Sequence, residues 1–180
     1  MKKLTFTFFV AVVLCTACKQ PPPENKPSDL DVIVEDMINN LPLSVAKANI
    51  ILQNKLPSPS ISEEDDEKNP YYLRITKYTE RYDFNARDVL LHKVKTEERS
   101  DGGFWLVIAP SKHQCYLSKY LLNKYFNNKQ GYVYGENISY QVYFKEHEMA
   151  VGIQTKTNRP HCIDVVAFMN DIYFTKNTFH

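Results

Sequence analysis

The sequence has almost no net charge: 22 Lys and Arg stand against 21 Asp and Glu, leaving +1 at pH 7. The basic residues are scattered rather than clustered, so a nucleic-acid partner, which needs a basic stripe or patch, is not expected. A membrane-spanning helix needs roughly 20 apolar residues. The apolar run from Leu4 to Leu14 is only 11 residues long. No Gly-x-Ser-x-Gly elbow is present to hold a nucleophilic serine. His147-Glu148 begins like a zinc-protease motif, but Val151 stands where the second His should be. The acidic run Glu63-Glu64-Asp65-Asp66-Glu67 lacks the alternating spacing and the Gly of a calcium loop. His113, His147, His161 and His180 have no spacing that predicts a metal ligand set. Paired carboxylates occur only in the acidic run and at Glu146 and Glu148, where burial strong enough to move a pKa is not expected. Together these absences point away from an enzyme, a cofactor and a metal site.

What is there begins at the N-terminus. Lys2 and Lys3 open the chain, the apolar run follows, and Thr16-Ala17-Cys18 closes it. This pattern resembles a bacterial lipoprotein signal peptide, with a charged n-region, a short h-region and a small residue before a cysteine. Cys15 stands where the lipobox usually carries Leu, and Leu14 lies one position further out. The resemblance implies a bacterial source, removal of residues 1–17, and acyl chains, palmitate among them, on Cys18. Several chains make a stable anchor, at about 0.8 kcal/mol per buried CH₂. Lys19 follows the cysteine rather than the Asp that favours inner-membrane retention in enterobacterial lipoproteins. The implied location is thus the periplasmic side of the cell envelope, the outer membrane before the inner. Residues 18–27 read as the lipidated cysteine and a stalk. Four of the nine residues from Lys19 to Pro27 are proline. Such a stretch runs as polyproline II, with a reach of about 30 Å.

Cysteine is the next scarce residue, with four in the chain. Cys15 leaves with the signal and Cys18 takes lipid. Cys115 and Cys162 remain, an even pair in an oxidising compartment, and a disulfide between them is expected. The alternative is two buried thiols packing as small hydrophobes.

Residues 28–180 are expected to form a single α+β domain, with two similar halves, 28–109 and 110–180, as a further possibility. Leu30, Ile33, Val34, Met37, Ile38 and Leu41 recur at helical spacing, with Ser28 as the N-cap. Leu41-Pro42 interrupts that helix. Ser44 caps a second, Val45 to Lys55, with Val45, Ala48, Ile51 and Leu52 as its buried stripe. Pro57 to Pro70, which includes the acidic run, reads as a solvated loop. Period-two alternation then predicts a strand around Tyr71 to Thr76 and a second from Ala86 to Thr96. The turn Arg99-Ser100-Asp101-Gly102-Gly103 leads to Phe104–Ala109, a continuous apolar strand expected to be buried on both faces. A short helix, Ser118 to Phe126, precedes a second strand set: 138–145, a turn at Glu146-His147-Glu148, 150–156, a turn at Asn158-Arg159-Pro160, and Cys162–Met169. The tail from Asn170 to His180 is left as an edge strand or a frayed end. The order is helix, helix, three strands, helix, three strands, which means helices packed on antiparallel sheet.

All 12 Tyr lie beyond the signal. Tyr suits binding surfaces, because it offers contact area at low entropy cost, and it equally suits half-buried strands. His113 and Cys115, two residues apart, are the one pair with the composition of a nucleophile and base; a disulfide accounts for Cys115 better. A helices-then-meander plan resembles small outer-membrane assembly lipoproteins and periplasmic inhibitor proteins. The type of chain resembles the immunity lipoproteins that neutralise toxins delivered by type VI secretion. That resemblance implies a protein partner, a toxin occluded by a loop or sheet face, with Glu63, Glu64, Asp65, Asp66 and Glu67 and the Tyr-bearing strands as candidate contacts. An envelope assembly or scaffold lipoprotein is the second reading, and an enzyme with an unrecognised site near His113 the third.

Overall fold

A computed structural model describes residues 26–54, 56, 75–127 and 130–170. Cys18, the stalk as far as Asn25, the 57–70 loop with its acidic run and the tail beyond Asn170 lie outside the described residues, as do Tyr71 and Leu73. Among the described residues no helix is long and apolar enough to cross a membrane.

The first helix, α1, spans Asp29–Asn39. Ser28 caps it through a reciprocal capping box: its hydroxyl accepts from the Asp31 N–H, and the Asp31 carboxylate accepts from the Ser28 N–H at 2.7 Å. All six residues of the expected apolar stripe are buried. The second helix, α2, spans Val45–Ile51, a turn shorter than expected. It ends where Gln53 takes a left-handed conformation, φ 54°. Its stripe of Val45, Ala48, Ile51 and Leu52 is buried as the pattern requires. The third helix, α3, spans Lys119–Tyr125.

The described strands form one antiparallel sheet: β1 Ile75–Ala86, β2 Val89–Arg99, β3 Phe104–Pro110, β4 Tyr132–Tyr134, β5 Asn137–Phe144, β6 Met149–Lys156 and β7 Arg159–Met169. Their spatial order is β1-β2-β3-β7-β6-β5-β4. The two meanders are therefore joined through their last strands, β3 against β7, with Leu106 opposite Phe168 and Ile108 opposite Val166.

Four details correct the sequence reading. The strand expected from Ala86 to Thr96 begins instead at Val89. Ala86 ends β1, and Arg87-Asp88 form a tight two-residue turn with Arg87 at φ 54°. No Gly marks that turn, which is why the alternation alone misplaced it. Among the described residues the second half holds four strands rather than three, because Tyr132–Tyr134 adds a short edge strand on β5. Pro160 lies within β7 rather than in the turn, which falls at Thr157 and Asn158. Finally, β3 is not buried on both faces. Phe104, Leu106 and Ile108 are buried, whereas Trp105 is 39% exposed and Val107 and Ala109 are half-buried.

That last point describes the whole sheet. One face carries Val94, Leu106, Ile108, Val151, Ile153, Val166 and Phe168, in one continuous core with the buried stripes of α1 and α2 and with Leu121 of α3. Contacts across the layers fix the helices in place. The Val45 N–H donates to Glu98 Oε1 at 2.6 Å, and the Leu43 N–H meets Met149 Sδ at 3.2 Å. Lys124 of α3 pairs with Glu35 of α1, whose other oxygen accepts from the Tyr120 hydroxyl at 2.9 Å. The opposite face, the open face, has none of the described helices in its core.

Candidate functional site

The alternation of β1 and β2, read in the observed register, decides what the open face presents. Tyr82 is opposite Lys93, Glu80 opposite Lys95, and Tyr78 opposite Glu97; Glu97 in turn faces Trp105 of β3. Side chains two apart on a strand share a face, so these residues form one cluster.

The cluster is interlocked. The Lys93 ammonium lies 2.6 Å from Glu80 and 5.1 Å from the Tyr82 ring centre. The Lys95 ammonium lies 2.6 Å from Glu97 and stands between two rings, 5.5 Å from Tyr78 and 5.3 Å from Trp105. The ring distances are those of ordinary cation–π contacts. Glu80 also accepts from the Tyr78 hydroxyl and, at 2.7 Å, from the Tyr82 hydroxyl. The Lys93 hydrogen bond, with the two tyrosine hydroxyls behind it, holds the Glu80 carboxyl down at about 2. In return, the hydrogen bond to Glu80 pushes the Tyr78 hydroxyl up to about 12. Lys93 is raised above the ordinary lysine range by Glu80 and Tyr82. Each charge has an opposite charge or a ring against it, so the cluster is an interlocked, nearly neutral aromatic platform.

Beside the platform the face falls away. On β6 and β7, Gly152 is opposite Ala167, and on its other side opposite Gln141 of β5. Small side chains in the middle, with Gln141, Gln154 and Ser139 at one side, leave a shallow trough of about 160 Å³. Beyond it, at the sheet edge, Tyr132 and Tyr134 are each 80% exposed.

The residues singled out in the sequence fall elsewhere. Cys115 and Cys162 form a disulfide that closes a separation of 47 residues. It fastens the loop after β3 to β7, where Ile163 N–H donates to the Tyr116 carbonyl at 2.8 Å and Ser118 N–H to the His161 carbonyl at 3.0 Å. His113 is exposed, its backbone N–H donating to Ser111 Oγ at 3.3 Å. With the Cys115 sulfur in the bridge, the pair is not a nucleophile and base. His147 lies in a short 3₁₀ turn, Lys145–His147, and His161 is exposed on β7. Glu146 and Glu148 are both exposed. Among the described residues no three His, Cys, Asp or Glu side chains gather as metal ligands. The acidic run and Cys18 lie outside the described residues, and His180 does too.

The sequence contained the signal for the platform. Tyr78, Glu80, Tyr82 and Lys93, Lys95, Glu97 each recur at period two. Only the turn at Arg87-Asp88 was needed to align the two triplets. Compared with protein-family models, curated proteins and solved structures, the chain matches none.

Proposed function

We infer that the protein is a membrane-tethered, periplasm-facing binding protein, and within that class an immunity-type inhibitor that occludes a toxin with the open face of its sheet. The observation that carries this reading is the platform of Tyr78, Tyr82 and Trp105 on that face. Aromatic side chains already held in place by Lys93, Lys95, Glu80 and Glu97 lose little entropy on binding, and Trp and Tyr dominate protein–protein hot spots. The lipobox-like ending at Cys18 supports the anchor, and the proline-rich stalk supports a domain held near the membrane rather than embedded in it.

Two experiments test the two parts. Palmitate labelling should be lost in Cys18→Ala; retained label would show that the anchor lies elsewhere. The reading expects a toxin gene beside this one, and growth of a sensitive strain that exports that toxin should be restored by the intact protein and not by a Tyr82→Ala, Trp105→Ala double variant. Failure of the intact protein to protect would leave the scaffold reading in its place.

A further inference from the structure

Gly152 sits in the middle of β6 for no reason the fold supplies. Its φ is not in the left-handed region that calls for glycine. A Cβ built there would meet the Tyr140 carbonyl at 3.7 Å and Gln141 Cγ at 3.8 Å, both ordinary contacts. Glycine inside a strand weakens it, and where the backbone does not require it, it marks a place that something else approaches closely. Here the missing side chain is the floor of the trough. The floor continues into Ala167, its partner on β7.

The walls say what the trough accepts. None of its lining residues is charged. A charged group seated there would find no counter-charge among the lining residues. Gln141 and Gln154 stand at one side, each with an amide donor and an amide acceptor, the pair of groups that a peptide unit needs. The volume of about 160 Å³ suits one ring or branched aliphatic side chain, since a cavity of about 150 Å³ takes a benzene-sized guest. We propose that the trough over Gly152 is the specificity pocket for a single uncharged apolar side chain of a partner protein, Leu or Phe in type, whose flanking peptide groups are held by Gln141 and Gln154. This deepens the reading of the open face as a protein-binding surface and rests on it. It places the selective contact on β5, β6 and β7, beside the aromatic platform rather than on it.

The test needs no identified partner. The isotope-labelled full chain in detergent is titrated with N-acetyl-leucine methylamide, N-acetyl-phenylalanine methylamide and the matching lysine and aspartate compounds, and amide shifts are followed by NMR. The expected result is saturable shifts at Gly152, Gln154 and Ala167 with the leucine or phenylalanine compound, and binding of the charged compounds weaker by about tenfold or more. Gly152→Leu fills the trough and should abolish the shifts while melting at or above the temperature of the parent. Gly152→Ala, whose Cβ meets only ordinary contacts, should weaken them and melt no lower than the parent. The proposal is overturned by any of four outcomes: no saturable shift at these amides, equal binding of the charged compounds, binding that survives Gly152→Leu, or melting of both variants well below the parent. Self-association that Gly152→Leu abolishes would make a second copy the occupant and overturn it. So would binding that appears only after residues 171–180 are removed, which would make the chain's own end the occupant. Toxin protection that persists in Gly152→Leu would sink the pocket and leave the inhibitor reading standing.

Discussion

Asn170 and Phe104 are joined twice. The Phe104 N–H donates to Asn170 Oδ1 at 3.0 Å, and the Asn170 N–H donates to the Phe104 carbonyl at 2.9 Å. The first residue of β3 is thereby clamped to the residue that follows β7. Phe104 is 3% exposed, so its N–H has no easy access to water. Asn170→Ala should cost about 1–3 kcal/mol, the penalty for orphaning a buried donor. Denaturant unfolding measures it; an unchanged midpoint would mean the side-chain bond contributes nothing.

The Cys115–Cys162 bridge closes a separation of 47 residues. In the chain-entropy model a loop of that length is worth about 4 kcal/mol. The Cys115→Ser, Cys162→Ser double variant should unfold at a correspondingly lower denaturant concentration. A thiol assay on denatured, unreduced protein should find neither cysteine free; two reactive thiols there would contradict the bridge.

Asp31 gives one sign of pH dependence. Burial raises its carboxyl above the ordinary aspartate value, against the Ser28 hydrogen bonds that lower it. Oδ2 takes both Ser28 bonds, and Oδ1 is buried with no hydrogen-bond partner among the described residues. A raised folded-state pKa contributes stability below the unfolded value, about 3.9, that is lost as pH rises through the folded one. Asp31→Asn keeps an acceptor for the Ser28 N–H and cannot ionise. Its stability relative to the parent should therefore rise between acid and neutral pH, as unfolding midpoints would show. A flat difference would mean that the carboxyl is not destabilised by burial.

Glu80 gives the opposite sign. Its carboxyl is held at about 2 by Lys93 and the two tyrosine hydroxyls. The unfolded value is about 4.3, so the contribution is present above that value and lost as pH falls toward 2. Solvent screening keeps it modest. Glu80→Gln should flatten the acid limb of the stability profile, and added salt should shrink the difference between the two proteins. An acid limb that the substitution leaves unchanged would place the loss elsewhere.

Trp105 is the one tryptophan of the chain and is 39% exposed on the open face. Its emission is thus a reporter of that face alone. A partner that covers the platform should move the emission to shorter wavelengths and protect it from iodide quenching. Lys95→Ala, which removes the ammonium 5.3 Å from the ring, should change emission in the unbound protein. A bound partner that leaves both emission and quenching unchanged would have to sit elsewhere.

How far these features were legible differs element by element. Six apolar residues at helical spacing behind Ser28 placed α1, because periodicity, cap and acidic first turn agree. The cysteine pair followed from counting once the two N-terminal ones were set aside. The hairpin of β1 and β2 was misplaced because its turn uses Arg87 and Asp88, and Arg87 adopts a left-handed conformation without help from glycine. Without that register the platform could not be assembled from its two triplets. The apolar run Phe104–Ala109 suggested burial on both sides, yet Trp105 alternates outward while Leu106 and Ile108 face the core. A run of apolar letters cannot tell a core face from an exposed one. Tyr132–Tyr134 was missed because three residues carry too little pattern for a strand.

The pairing of β3 with β7 has a consequence for the order in which the chain can be completed. β3 stands near the middle of the described sheet, but its neighbour on that side is β7, the last of the described strands to be made. Until β7 arrives, Phe104–Pro110 is an unprotected edge, rich in apolar residues and free to pair with other chains. A chain truncated before Arg159 should behave as a sticky intermediate rather than as a half-sized folded domain.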